Sequence, residues 1–444
     1  MKKLLIAVIL VALMGAYIPA NAGSNRKQDR ARAEVLKHNQ GYYKDVFMDG
    51  GVYLTSRTTL PATDFLGISL DYFASAANKQ LTKVDTLIQH KIFTGCEEDT
   101  NGWLLYPDGA PRYRMIYVNG GKAGNHLKSM EKSSRENICG YIAAGGSYVG
   151  TCAGAYIASS GTPIRKKIKN AKLYLGLWPG LVYGTGLNKS KTDMRVDKKS
   201  PLMRYFDFGK DGVVKDVRHN GGCYVREDKF GDLPKGVEVL SHYIYNNTKR
   251  VKIDGRGSVW AYKAGDKAGR VVSCGSHPEG VEEGERREYM AAMMLYAMDG
   301  NPTPQPKGEL KAGEVREMNK RTEDNAPAYT RIGDKQYHHF TVNVPKKCKK
   351  VVVSLEGYKG ENNFDLMVCG KRGELAFGNN TSYKSDVKGC NKQLVIEKPK
   401  AGKWYVSVYC DTAVTSTVGK YGSEYSGRLD VLNGVPYKVS VKFE

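Results

Sequence analysis

A short glycine-rich segment surrounds a cysteine that could act as a nucleophile. The motif Gly-Thr-Cys-Ala-Gly occupies positions 150–154, with Cys152 between a strand-like run at 147–150 and a helix-prone run at 153–159. Such a strand-to-helix turn strains its central residue and admits only small neighbours. It also places the sulfur at a helix N-terminus, which stabilises thiolate. The same turn suits a small buried cysteine without a chemical role, so the motif alone leaves both interpretations open.

A histidine and a glutamate much further along the chain complete a candidate hydrolytic set. His277 and Glu279 follow the apolar run at 271–273. A thiol nucleophile needs a base, and the base needs a carboxylate to orient it. Because one residue separates the two, a bent loop can bring both side chains to one site. A lone His-x-Glu also fits a solvated loop, but its joint occurrence with the cysteine turn favours Cys152, His277 and Glu279 as a catalytic triad.

These motifs resemble those of the class I glutamine amidotransferase-like superfamily, in which Gly-x-Cys-x-Gly is followed far downstream by His-Pro-Glu. The run Gly-Gly-Ser-Tyr-Val-Gly-Thr-Cys-Ala-Gly-Ala-Tyr at 145–156 is similar to the cysteine motif of one branch, the family named for the N-terminal domain of biotin-protein ligase. Leu-Gly-Leu-Trp-Pro-Gly at 175–180 and Asn-Gly-Gly at 220–222 are similar to its later motifs. The resemblance extends over roughly residues 45–300.

The resemblance implies a flavodoxin-like, mainly parallel α/β sheet that carries the triad. It also implies that Gly120 and Gly121 form an oxyanion or substrate loop, assisted by the backbone N–H of Ala153. It does not imply ligase activity, because the nearest adenylate-loop-like string, at 254–258, reads as a hairpin turn inside the same region. The chain also lacks an ammonia-accepting synthase domain. The reaction that remains is hydrolysis of an amide, peptide or related carbonyl compound.

The start of the chain predicts export. Residues 1–22 combine two lysines, an uncharged apolar run and an Ala-Asn-Ala cleavage pattern, which together indicate a signal peptide. An uncleaved anchor helix is the alternative, although the apolar run is short for a membrane span. No later segment has the apolar length of a transmembrane helix. We therefore expect a secreted or periplasmic protein.

The 444 residues predict two folded domains. An α/β domain is expected over 23–300, a proline-rich linker over 301–329, and an all-β sandwich over 330–444, where short strands alternate with period two. Asn-Phe-Asp-Leu-Met-Val at 363–368 and Gly-Lys-Trp-Tyr-Val at 402–406 resemble strands of the bacterial pre-peptidase C-terminal domain. That resemblance implies a domain that accompanies secreted hydrolases.

Charge and cysteine content restrict the partners and the chemistry. A formal net charge of +22 favours an anionic polymer as a further partner through the basic surface, but no specific nucleic-acid motif is present. With Cys152 kept free, the other eight cysteines are expected to be largely paired in disulfides. The eight histidines show no metal-ligand spacing and there is no Cys-x-x-C pair, so neither a metal nor a cofactor is predicted.

The sequence therefore predicts an exported cysteine hydrolase of the amidase or peptidase kind. Its substrate class would be an amide, a peptide or a cell-envelope component. The alternative is a non-catalytic secreted binding or scaffold protein that retains the amidotransferase-like fold. The presence of all three triad residue types favours the enzyme.

Overall fold

The structure is a computed structural model that describes residues 25–37, 41–49, 60–73, 104–130, 132–164, 167–168, 171–227, 233–419 and 422–444. The predicted signal peptide at 1–22 and the ninth cysteine, Cys96, lie outside the described residues. Within these ranges, no helix is long and apolar enough to span a bilayer.

Strands and helices alternate in the first part of the chain, as the sequence pattern indicates. The strands are β1 (Lys44–Asp49), β2 (Leu70–Phe73), β3 (Tyr113–Val118), β4 (Ser147–Thr151), β5 (Pro163–Ile164), β6 (Lys167–Ile168), β7 (Tyr183–Gly184), β8 (Ser190–Val196), β9 (Val213–His219), β10 (Cys223–Tyr224), β11 (Val237–Ile244), β12 (Gly257–Lys263) and β13 (Arg270–Cys274). The helices are α1 (Arg26–Leu36), α2 (Pro61–Leu66), α3 (Ala123–Ser129), α4 (Lys132–Ala143), α5 (Ala153–Ala158) and α6 (Glu285–Met298).

One large mixed sheet organises this part of the chain. Its order is β9-β8-β11-β12-β13-β4-β3-β1-β2. The strands β13, β4, β3, β1 and β2 are parallel, whereas β12, β11, β8 and β9 pair antiparallel. Every residue of β3 and β4 is buried, as expected for parallel strands covered on both faces. The predicted amidotransferase-like α/β fold is confirmed.

Helix α6 covers one face of the parallel strands. Its ten residues from Tyr289 to Met298 are all buried. The helix packs against β3, β4 and β13 on one side and against α1, α2 and β9 on others. A helix buried on nearly all sides holds β4 and β13 firmly, and the candidate site residues follow these two strands.

The C-terminal part consists of antiparallel strands, as the period-two pattern predicts. They are β14 (Val315–Met318), β15 (Tyr337–Val344), β16 (Lys350–Gly357), β17 (Leu366–Arg372), β18 (Tyr383–Ser385), β19 (Lys392–Glu397), β20 (Gly402–Cys410), β21 (Val414–Gly419), β22 (Gly422–Gly427) and β23 (Tyr437–Phe443). Two four-stranded sheets, β14-β23-β16-β19 and β15-β20-β17-β18, contribute to one apolar core. The hairpin of β21 and β22 joins the edge of the large sheet beside β2.

The segment predicted as a linker, 301–329, is not a free connection. Its strand β14 pairs with β23, and the backbone N–H of Leu310 donates to the carbonyl oxygen of Thr341 at 2.9 Å. Leu310 and Met318 are buried, whereas Val315 is 60% exposed. An edge strand that buries so few side chains shows little apolar periodicity, which explains why its sequence reads as a linker.

All eight cysteines in the described ranges are free thiols, so the predicted disulfides are absent from the structure. In the C-terminal part, each of three thiols donates to a backbone carbonyl oxygen instead. Cys348 donates to Lys350 at 3.2 Å, Cys390 to Phe364 at 3.2 Å and Cys410 to Thr412 at 3.4 Å. The number of cysteines suggested pairing, but each of these three sulfurs has its own local backbone contact.

The two parts of the chain share a buried polar junction. Arg112, which precedes β3, forms an ion pair with Asp334, which precedes β15, and both side chains are at most 2% exposed. Beside them, Lys307 donates to Asp108 at 2.5 Å. The α/β part and the β part are therefore joined through charged groups as well as through apolar contacts.

Candidate active site

Cys152 occupies the sharp turn that connects β4 to α5. Its backbone angles, φ 47° and ψ −103°, lie in a region that residues with a side chain rarely adopt. The backbone N–H of Cys152 donates to the carbonyl oxygen of Cys274 at 2.9 Å, which fixes the turn to the end of β13. This geometry is the sharp strand-to-helix elbow that the sequence predicts, at the carboxyl edge of the parallel strands where α/β folds place their sites.

The two glycines that flank the cysteine are required by close packing. A Cβ atom on Gly154 would lie 2.1 Å from the carbonyl oxygen of Val118. A Cβ atom on Gly150 would lie 2.6 Å from the carbonyl carbon of Gly154. Both distances are shorter than non-bonded contacts allow, so the elbow closes onto β3 only with glycine at these positions.

His277 and Glu279 lie in the loop after β13, beside the elbow. Their side chains form a 2.8 Å contact between Nδ1 of the imidazole and Oε1 of the carboxylate. The backbone N–H of His277 donates to the carbonyl oxygen of Arg218 at 2.9 Å, which anchors the loop to the end of β9. The side chains of the histidine and the glutamate are only 19% and 11% exposed. The pair is thus held in place and largely shielded from water.

The imidazole of His277 also interacts with the sulfur of Cys152. Burial lowers the pKa of His277, but the Glu279 carboxylate and a hydrogen bond with Cys152 outweigh burial and raise it to about 10. Because Nδ1 contacts Glu279, Nε2 is the ring nitrogen that remains available to the sulfur. A base between a carboxylate and a nucleophile is the arrangement in which a proton can move to and from the nucleophile.

Two polar residues that the sequence did not indicate, Thr151 and Tyr117, hold Glu279 in place through hydrogen bonds. The hydroxyl of Thr151 donates to Oε1 of Glu279 at 3.2 Å. The hydroxyl of Tyr117, on β3, lies 3.0 Å from the same Thr151 oxygen. Both residues are buried, and this chain of contacts fixes the carboxylate from the neighbouring strands. The position of Thr151 next to the nucleophile was the one available signal.

The predicted oxyanion loop lies directly against the histidine. Gly120 follows β3, and a Cβ atom on it would lie 2.0 Å from Cε1 of His277. Gly121 has φ 147°, a value suited to glycine. Ala153 is the first residue of α5 and is fully buried. The structure therefore brings Gly120 to His277 and Ala153 to Cys152, and the glycine at 120 is what permits the close approach.

The two-stranded antiparallel sheet of β7 and β10 lies beside the cysteine. The hydroxyl of Tyr156, on α5, donates to the carbonyl oxygen of Gly222 at 2.7 Å. The backbone N–H of Cys223 donates to the carbonyl oxygen of Gly275 at 3.0 Å. The Asn-Gly-Gly motif at 220–222 thus connects the nucleophile helix to the strand that leads to His277.

A cavity lies elsewhere in the molecule, away from these residues. It has a volume of about 800 Å³ and is lined by Tyr106, Gly145 and Tyr337 among others. Gly145 precedes β4, so this cavity lies at the amino ends of the parallel strands, opposite Cys152. One of its two carboxylates, Asp108, already accepts hydrogen bonds from Lys307 and from Gln336 at 2.8 Å. The cavity therefore belongs to the junction between the two parts of the chain.

Among the residues that the structure describes, no group of three or more His, Cys, Asp or Glu side chains is placed to hold a metal ion.

At pH 8 we expect the imidazole of His277 to be charged and those of His126, His219 and His339 to be neutral. Burial lowers the pKa of His126, His219 and His339 to about 4, whereas His277 keeps its proton up to about pH 10. Because the folded pKa of His277 lies above the free value of 6.5, its charge stabilises the fold fully below pH 6.5, and this contribution is lost as the pH rises through about 10. Imidazole ¹⁵N shifts measure this directly, and Glu279→Gln should lower the pKa of His277.

If His277 instead titrates near pH 6.5 in the wild-type protein, the contacts with Glu279 and Cys152 do not form in solution. The three other histidines are the internal control, since they should remain neutral in both proteins.

The mixed sheet, the cysteine elbow at its carboxyl edge and the adjoining His-x-Glu loop are the features that the resemblance to glutamine amidotransferase-like proteins implies. Residues 110–294 match the model of the family described as biotin-protein ligase, N-terminal. No curated protein sequence matches the chain.

Solved structures give distant matches. A crystal structure of glutamine amidotransferase is 15% identical, with a TM-score of 0.35, and the match covers 56% of this chain and 98% of that one. A β-galactosidase from Rahnella sp. R3 is 11% identical, with a TM-score of 0.26, covering 64% of this chain and 32% of that one.

Proposed function

We propose that this protein is an exported cysteine hydrolase that cleaves an amide or related carbonyl substrate with Cys152, His277 and Glu279. The observation that carries the proposal is the position of His277, which contacts the Glu279 carboxylate at 2.8 Å and interacts with the Cys152 sulfur on its other side. If the His-x-Glu loop were only a solvated loop, or Cys152 only a buried structural residue, His277 would not be expected to lie between the carboxylate and the sulfur.

The proposed reaction proceeds through a thioester. The Cys152 thiol gives its proton to His277 as the sulfur attacks the carbonyl carbon, and the developing oxyanion accepts hydrogen bonds from the backbone N–H groups of Gly121 and Ala153. His277 gives that proton to the leaving amine as the C–N bond breaks. It then takes a proton from the water that attacks the thioester, and it returns this proton to the sulfur as the C–S bond breaks and the carboxylic acid leaves. Glu279 holds the imidazole in the orientation that both transfers need.

The substrate and location belong to the same proposal. The signal-like residues 1–22 support a secreted or periplasmic protein, for which amides, peptides and cell-envelope components are the accessible substrates. The net charge of +22 supports attraction to an anionic polymer in that location.

A non-catalytic scaffold is the second candidate, and one observation favours it. Cys152 is only 3% exposed, so a substrate can reach the sulfur only if neighbouring groups allow it. The scaffold and the enzyme differ in whether the sulfur can be acylated.

Acylation with an activated ester separates the two functions. Incubation with p-nitrophenyl acetate should release a burst of nitrophenolate equal to the enzyme concentration and add one acetyl group at Cys152, located by peptide mass mapping at low pH. Cys139→Ala is the matched control, since this half-buried thiol donates to the carbonyl oxygen of Leu175 away from the triad. A wild-type protein that shows no burst and no acetyl group at Cys152 would support the scaffold instead.

A further inference from the structure

Arg226 stacks on a tyrosine ring, and within the described residues no protein acceptor receives a hydrogen bond from its guanidinium. Arg226 follows β10 by two residues, and its guanidinium carbon lies 3.8 Å from the centre of the Tyr183 ring. Tyr183 itself stacks on Tyr224, with ring centres 5.7 Å apart and planes at 28°. The Nε of Arg226 is buried without a hydrogen-bond partner, and within the described residues its side chain forms no hydrogen bond or ion pair.

Other arginines with a buried Nε differ in this respect. Arg270 also stacks on a ring, that of Tyr296 at 3.9 Å, but it donates to the Tyr296 carbonyl oxygen as well. Arg316 stacks on Tyr329 and donates to the carbonyl oxygen of Ala328 at 2.8 Å. Stacked arginines in this fold are therefore normally satisfied by an acceptor from the protein, and Arg226 is the exception among these three.

The adjacent carboxylate does not serve Arg226. Glu227 contacts Nε2 of His242 at 2.6 Å, and Asp197 contacts the other ring nitrogen of His242 at 3.0 Å. Glu227 and Asp197 thus have His242 as their partner, and within the described residues the guanidinium of Arg226 keeps its donors free of protein acceptors beside the Tyr183 ring.

The segment that carries Arg226 is hydrogen-bonded near both parts of the candidate triad. Tyr156, one helical turn after Cys152, donates to Gly222 at 2.7 Å. The backbone N–H of Cys223 donates at 3.0 Å to the carbonyl oxygen of Gly275, which lies two residues before His277. Arg226 follows three residues later, so its position relative to the nucleophile is set by backbone contacts.

We propose that Arg226, stacked on Tyr183, binds a carboxylate of the substrate, so that the carbonyl group attacked by Cys152 belongs to an acidic amide or acidic peptide. This inference rests on the proposed function. A guanidinium recognises a carboxylate through two parallel N–H···O bonds, and stacking on a ring leaves those edge donors free. Because the site is partly buried, a substrate carboxylate would supply the acceptor that the protein does not.

Matched alkylating probes test the proposal without a known substrate. Iodoacetyl-glycine, iodoacetyl-β-alanine and iodoacetyl-aminohexanoic acid carry a carboxylate at increasing distance from the reactive carbon, and their primary amides are neutral counterparts. The measured quantity is the ratio of alkylation rates at Cys152 for each acid and its amide. For the spacing that fits, Arg226→Gln should lower this ratio by about tenfold, and Arg226→Lys should lower it less, since a lysine keeps the charge but loses the fork.

Arg372→Gln is the control, because it makes the same charge change at an exposed arginine in the C-terminal part. An equal fall in the ratio for Arg226→Gln and Arg372→Gln, or no fall for any spacing, would overturn the proposal. The neutral amides report on the proposed function separately: if they fail to alkylate Cys152 in the wild-type protein, the reactive thiol itself is wrong, and the inference falls with it.

Discussion

Replacing Cys152 by alanine is expected to remove the nitrophenolate burst and to lower kcat for any amide substrate by roughly four orders of magnitude or more, since no other group can form the thioester. His277→Ala should lower kcat nearly as much, because the thiol and the imidazole act as one unit. Glu279→Gln should have a smaller effect, of about ten- to a hundredfold, since this side chain orients the base but does not react. Steady-state kinetics with burst amplitude give all three values.

The order of these effects matters more than their size. A purely structural role for Glu279 would reduce the amount of folded protein and leave the kcat of the folded fraction unchanged, whereas a positioning role lowers kcat and alters its pH profile. Active-site titration by the burst separates the two. Equal turnover by wild type and Cys152→Ala would contradict the mechanism, and Cys139→Ala should behave as wild type throughout.

The geometry of the elbow and of the His-x-Glu loop could be predicted because its constraints are local. Gly150 and Gly154 are needed wherever a strand turns sharply into a helix around Cys152, and this requirement is visible in five consecutive residues. His277 and Glu279 are separated by one residue, so their mutual contact follows from a single loop. The elbow geometry agrees with the sequence prediction because it depends on no distant register.

The surrounding contacts could not be predicted, because they depend on how separate strands are placed side by side. Tyr117 reaches Thr151 only because β3 lies next to β4 in a particular register. The stacking of Arg226 on Tyr183 likewise requires that β7 pairs with β10 across some forty intervening residues. No spacing rule in a single sequence encodes either contact.

The same reason explains the errors in the fold. The segment 301–329 lacks apolar periodicity, yet β14 obtains its stability from pairing with β23 at the far end of the chain. The number of cysteines suggested disulfides, but a disulfide needs two cysteines whose Cβ atoms approach within about 4.5 Å. Cys390 and Cys410 donate to different backbone carbonyl oxygens, and a count of cysteines does not show which of them lie close together.

The largest expected effect on stability lies at the junction between the α/β and β parts. Asp334→Ala should lower the free energy of unfolding by about 3–5 kcal/mol, because removing one partner of a buried ion pair leaves the other charge without its counter-ion in a site of low polarity. Asp334 is 0% exposed, and Arg112 is 2% exposed between the rings of Tyr43 and Tyr106. Urea unfolding followed by tryptophan fluorescence measures the change.

A double-mutant cycle distinguishes the ion pair from simple loss of packing. Arg112→Met combined with Asp334→Ala should be less destabilised than Asp334→Ala alone, because the uncompensated charge is then gone. Glu374→Gln is the surface control: its carboxylate contacts Lys371 at 2.7 Å but is 65% exposed, so the change should stay below about 1 kcal/mol. If Asp334→Ala costs no more than Glu374→Gln, the pair does not hold the two parts together, and the junction depends on the apolar contacts around it.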